Sequence, residues 1–216
     1  MNKVWITEGF DAFRRGRFGN GGQNLYVSKK GILQRIFQYD LDRNGYVDLV
    51  FANCQNHGES APAYVYTLDG ARTALPAQGS LCGMTADLTG DGYRDLILPG
   101  HYDMAAPFAS TDIYFGGPEG YSENRRTRIP TPYTEDCAHG DFRACGHQAL
   151  AFAMPTYKTV RVFEQTELGF EWNRFTDLPI EADLIAAADL DGDGYDDLIV
   201  RRKDATETTV YWGGAD

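Results

Sequence analysis

Apolar residues in this chain come in short runs, and three of the runs follow an aspartate directly. Leu49-Val50-Phe51 follows Asp48, Leu96-Ile97-Leu98 follows Asp95, and Leu198-Ile199-Val200 follows Asp197. Runs of this length bounded by turn residues read as buried strands. Around the second run, strands are expected at Leu81 to Ala86, Asp95 to Leu98, Thr111 to Phe115 and Asn124 to Ile129. A similar set is expected at Gly140 to Phe142, Ala149 to Ala153, Thr159 to Phe163 and Phe170 to Phe175. Lys3 to Ile6 and Asn24 to Ser28 also read as strands, of a preceding unit. The chain is therefore expected to be all-β, with the strands joined by polar turns.

The turns before the three runs share one pattern: DLDRNGYVD from Asp40, DLTGDGYRD from Asp87 and DLDGDGYDD from Asp189. A fourth copy, DFRACGHQA from Asp141, has lost most of its acids, and successive copies start 47, 54 and 48 residues apart. Regular spacing of that size marks a repeat architecture. Oxygens at alternating positions of a tight turn suit a hard divalent cation, which takes six to eight of them. The expected ligands are Asp40, Asp42, Asn44, the carbonyl of Tyr46 and Asp48 in the first copy. In the second they are Asp87, Thr89, Asp91, the carbonyl of Tyr93 and Asp95, with Thr89 the weakest. In the last they are Asp189, Asp191, Asp193, the carbonyl of Tyr195 and Asp197. Gly45, Gly92, Gly146 and Gly194 hold the sixth position, where the chain must turn with positive φ. Arg143, Cys145 and Ala149 leave the damaged copy without a ligand set.

An EF-hand opens similarly but needs a glutamate at position twelve and flanking helices. Phe51, Leu98 and Val200 stand there instead. The loop D-h-D-x-D-G-h-x-D-L, together with a later strand ending in aromatic-Gly-Gly (IYFGG at Ile113, VYWGG at Val210), resembles the FG-GAP or VCBS repeat of integrin-α-like β-propellers. The resemblance runs from about Ile32 onward and implies blades that bind about three structural Ca²⁺ ions. Small residues such as Gly83, Ala86 and Ala186 to Ala188 suit inner strands near a propeller axis; Phe37 and Tyr39 break that rule. The expected layout is one domain over 1–216, with a partial blade at 1–31 and repeats at 32–79, 80–130, 131–180 and 181–216. Two closures remain open: a five-bladed ring completed from both ends, or an incomplete part of a larger, seven-bladed type, whose open blade edges would allow self-association.

Composition narrows the function. A net charge of −11 argues against a nucleic-acid groove, and bound cations would offset much of it. The 24 glycines fit a chain with many turns. No apolar run is long enough to cross a membrane as a helix, so no membrane insertion is expected. No signal peptide is evident; abundant extracellular calcium nevertheless points to a secreted, periplasmic or cell-surface setting. Cys54, Cys82, Cys137 and Cys145 show no zinc spacing, and a Cys137–Cys145 disulfide and buried free thiols are equally open.

By the same resemblance, ligands are expected on the face opposite the loops. Long connections there carry Arg14, Arg15, Arg17, Asn56, His57, His101 and Tyr102, groups able to take an acidic glycan or a protein ligand. A solvated loop surface would have the same composition. The expected function is a calcium-binding recognition or adhesion module without catalysis. The alternative is a polysaccharide lyase acting through His57, His101, Tyr102 and Arg14, where arginine neutralises a uronate and the others exchange protons.

Overall fold

A computed structural model describes residues 62–66, 72–101 and 108–215, together with the backbone of three strands before them. Those are β1 (Gln23–Val27), β2 (Leu33–Tyr39) and β3 (Asp48–Ala52); β4 (Ala63–Tyr66) and β5 (Arg72–Leu75) complete the first sheet. The second sheet holds β6 (Met84–Ala86), β7 (Asp95–Leu98), β8 (Ser110–Tyr114) and β9 (Arg126–Pro130). The third holds β10 (Asp136–Gly140), β11 (Ala149–Met154), β12 (Thr159–Glu164) and β13 (Thr176–Leu178), and the fourth holds β14 (Leu184–Ala188), β15 (Asp197–Arg201) and β16 (Thr209–Tyr211). Every pairing is antiparallel and in chain order. Helical structure among the described residues is confined to two single 3₁₀ turns, Glu123–Arg125 and Pro155–Tyr157, and no helix is long and apolar enough to cross a membrane.

The sheets stack in sequence order. Val65 and Leu75 of the first sheet pack with Leu96, Leu98 and Tyr114 of the second. Met84, Ile97 and Ile113 turn the other way, onto Leu150, Phe152 and Phe163 of the third. Ala151, Ala153 and Val160 then meet Ile185, Leu198 and Val200 of the fourth. Side chains alternate across a strand, so Leu96 and Leu98 serve one neighbour and Ile97 the other. This explains why the Leu96-Ile97-Leu98 run is continuously apolar: a strand covered on both faces needs no polar alternation. Burial of each such side chain contributes roughly 1.5–3 kcal/mol.

Several expected strands move. Asn24 to Ser28, assigned to a preceding unit, instead overlaps β1, which pairs with β2 through Gln23↔Phe37 to Val27↔Leu33. β2 is thus flanked on both sides, and Phe37 and Tyr39 do not lie on an edge strand. Gly140 to Phe142 is replaced by Asp136–Gly140, four residues earlier, because Phe142 belongs to the turn. Phe170 to Phe175 is turn and coil rather than strand; Phe170 inserts into the cluster between the second and third sheets, and the strand follows as β13. Lys3 to Ile6 lies outside the described residues.

Candidate metal centre

Because strands reverse at every turn, the β6–β7, β10–β11 and β14–β15 loops share one edge of the stack. In the β14–β15 loop, Asp189 accepts the N–H groups of Gly192 at 2.7 Å and Gly194 at 3.0 Å. Asp191 accepts Asp193 N–H at 3.2 Å, and Asp193 accepts Tyr195 N–H at 3.0 Å. These short-range bonds wind the loop so that carboxylate oxygens of Asp189, Asp191 and Asp197 lie within 4.8 Å of one another. Asp193, also expected as a ligand, is not in that group.

The β6–β7 loop repeats the design. Asp87 accepts Gly92 N–H and Asp91 accepts Tyr93 N–H, both at 2.8 Å. Thr89 is exposed. Gly90, Gly92, Gly192 and Gly194 have φ between 70° and 92°, so positive φ falls at position four as well as at the expected position six. The ninth-position aspartate does more than the sequence suggested. Buried Asp95 accepts Leu88 N–H and Gly116 N–H, each at 2.8 Å, and Asp197 accepts Leu190 N–H at 2.9 Å and Gly213 N–H at 2.8 Å. One carboxylate thus clamps the loop's second residue to the first glycine of aromatic-Gly-Gly. That glycine is needed for space: a Cβ on Gly116 would stand 2.3 Å from the Arg94 carbonyl oxygen, and one on Gly213 would stand 2.4 Å from that of Asp196.

Residues 183–215 match the FG-GAP repeat. No curated protein matches the chain. The clamp joins the two parts of the FG-GAP pattern that lie farthest apart in sequence, the loop and the double glycine.

The third copy shows the same logic by loss. Ala149 replaces the clamping aspartate and Gln165 stands where Gly116 and Gly213 stand, its Oε1 accepting Gln148 N–H at 3.2 Å. Asp141 still holds the turn through Gly146 N–H at 2.6 Å and Cys145 N–H at 3.0 Å. Arg143 pairs outward with Glu164 at 2.9 Å. The loop is latched to its neighbour: Asp196 Oδ2 accepts Asp141 N–H at 2.8 Å, and Gly214 N–H reaches Phe142 O at 2.9 Å. Cys137 lies in β10 and Cys145 in the loop that follows it, and no disulfide joins them.

Electrostatically, the loops hold anions close together. Burial pushes the Asp95 carboxyl up to about 6; the Gly116 and Leu88 N–H groups pull it back, and the charges of Asp91 and Asp87 add to the rise. Asp87 Oδ1 is buried without a hydrogen-bond partner. An all-oxygen donor set, mutual repulsion and an orphaned carboxylate oxygen fit a hard dication. Asp40, Asp42, Asn44 and Tyr46 lie outside the described residues; Asp48 is placed only as the first backbone position of β3.

On the opposite edge, His101 Nε2 lies 3.2 Å from Glu135 Oε1, and Lys203 Nζ lies 3.7 Å from Glu135 Oε2. The His101 hydrogen bond holds the Glu135 carboxyl below its usual range, against its burial, with Lys203 adding to the effect. His101 also meets the Tyr133 ring edge-on, and Tyr133 meets Tyr157 in the same way. Beside Tyr157 a cleft of about 460 Å³ is lined by Phe108, Pro130, Pro132, Met154 and Arg161 among others. Tyr133 and Glu135 come from the β9–β10 connection and Lys203 from the β15–β16 connection, and no local motif announces them. Of the expected ligand and lyase residues only His101 is described; Arg14, Arg15, Arg17, Asn56, His57 and Tyr102 lie outside the described residues.

Proposed function

We propose that the chain is a propeller-type module of FG-GAP repeats whose loops hold structural calcium and whose opposite edge recognises a glycan or protein ligand. The observation that carries this reading is the convergence of Asp189, Asp191 and Asp197 within the matched repeat. Asp189, Asp191, Asp193 and the Tyr195 carbonyl would hold one ion with Asp197, and the Asp87 to Asp95 and Asp40 to Asp48 sets one each. Bound calcium supplies positive charge that offsets carboxylate repulsion, which is of order 4 kcal/mol per pair at 4 Å for an effective dielectric near 20. A ligand that binds only the folded state raises its stability by mass action. A secreted, periplasmic or cell-surface location follows from the calcium this requires.

Thermal melting in EDTA and in millimolar CaCl₂ tests the reading. The melting temperature rises with calcium in the parent protein and rises less in Asp189→Asn and Asp191→Asn; an unchanged melting temperature in protein first stripped of metal overturns it. Incubation with a polyuronate separates binding from lyase action, since chain cleavage by elimination creates an ultraviolet-absorbing unsaturated end. Binding without that absorbance is the expected outcome.

A further inference from the structure

The third loop has lost its ligands but not its connections. Asp141 N–H donates to Asp196 Oδ2 at 2.8 Å, and Asp196 N–H returns a bond to Asp141 O at 3.2 Å. Gly214 N–H adds a third, to Phe142 O at 2.9 Å. The two loops lie so close that a Cβ on Gly140 would stand 2.9 Å from Asp196 Cβ. Asp196 is the eighth residue of the last loop, between Tyr195 and Asp197. Both of those neighbours are assigned above to the ion of the last loop, Tyr195 through its carbonyl. The latch therefore grips that loop between two ligands.

A second connection leaves the third loop on its other side. Gln148, its eighth residue, donates its N–H to Gln165 Oε1 at 3.2 Å, and Nε2 of the same Gln165 amide donates to Leu88 O at 2.5 Å. Leu88 sits between Asp87 and Thr89, and Asp95 already holds its N–H. So this grip, too, falls between two expected ligands. Gln165 stands where the second and fourth sheets carry glycine, and only a long amide at that place can join two loops at once. Within the third loop, the Asp141 carboxylate binds the Cys145 and Gly146 N–H groups and ties the two connections together without a metal.

We propose that the metal-free third loop couples the calcium site of the second loop to that of the last, with Gln165 and Asp196 as the positioning residues at its two ends. The proposal rests on the calcium reading given above. An ion in the last loop fixes the Tyr195 carbonyl and the Asp197 carboxylate, and with them Asp196 and its partner Asp141. The wound third loop then presents Gln148 to Gln165, which holds Leu88 beside Asp87. Ordering is done by the first ion, so the second meets a loop already set. Each ion raises the affinity for the other by the same factor.

Calcium binding by equilibrium dialysis of the metal-stripped 216-residue chain tests this, in a background of Asp40→Asn and Asp42→Asn that silences the first loop. Asp87→Asn with Asp91→Asn leaves the last site to be read alone, and Asp189→Asn with Asp191→Asn leaves the second. With both loops intact, the product of the two association constants is expected to exceed the product of the single-site values by about 5-fold or more. Gln165→Leu keeps every ligand and should bind two ions with that excess gone. Asp196→Ala serves as the second variant should Gln165→Leu lose its circular dichroism spectrum, and Asp196→Asn, which keeps the acceptor oxygen, should retain the excess. Two ions bound without excess overturn the coupling and leave the calcium reading standing, as does an excess that survives both Gln165→Leu and Asp196→Ala. A single bound ion also overturns the coupling, and no bound ion overturns the calcium reading with it.

Discussion

The two glycines of the aromatic-Gly-Gly signature look equivalent in sequence, and they should behave oppositely when replaced. A Cβ on Gly213 would lie 2.4 Å from Asp196 O, 2.7 Å from Tyr195 Cβ and 3.0 Å from Phe142 O, two of which are backbone atoms that cannot swing aside. A Cβ on Gly214 meets nothing within 4 Å, and neither glycine needs positive φ. Overpacking costs roughly 1–3 kcal/mol. Displacing Gly213 also weakens its N–H bond to Asp197, and a hydrogen bond to a charged group is worth about 1.5–3 kcal/mol. Alanine returns about 0.4–1 kcal/mol by restricting the unfolded chain. Gly213→Ala should therefore lose about 3 kcal/mol, while Gly214→Ala should be neutral or up to about 1 kcal/mol more stable. Urea unfolding followed by tryptophan fluorescence reads the difference as a lower midpoint at constant slope. Equal midpoints for the two variants would refute the clamp as the reason for the first glycine.

Three further outcomes follow from local geometry. Ala144 holds φ 48° at a position where two of the three intact loops carry glycine, Gly90 and Gly192, so Ala144→Gly should raise stability by about 0.5 kcal/mol, the left-handed penalty slightly outweighing glycine's entropy; chemical denaturation would show it. Asp95 has a folded pKa of about 6, above the ordinary aspartate value of 3.8, so the metal-free fold binds the extra proton first. Acidification from above pH 6 towards pH 4 should then stabilise metal-free protein by up to about 3 kcal/mol relative to Asp95→Asn, and an identical pH dependence in the two proteins would contradict this. Asp112 is fully buried, 2.7 Å from Arg128 Nε and 3.5 Å from Arg126 Nη1, so Asp112→Ala should cost about 2–3 kcal/mol by leaving Arg126 and Arg128 without their buried carboxylate; thermal unfolding measures it.

The sequence by itself determined the loops and the strands that leave them. Asp87 reaches Gly92 and Asp189 reaches Gly194 across five residues, so the turn is set by side chains and φ preferences within a single nonapeptide. The apolar triplets after each loop likewise required no knowledge of the rest of the molecule to read as buried strands. Tertiary structure decided what those strands meet and what the ninth aspartate does. Asp95 finds Gly116 across 21 residues, Gln165 reaches Leu88 O across 77, and Leu88 is buried while Leu190, in the same place in its own repeat, is not. A repeat writes the same residue at equivalent positions, but burial belongs to the neighbour opposite, and only the stacking order of the sheets says which positions have one.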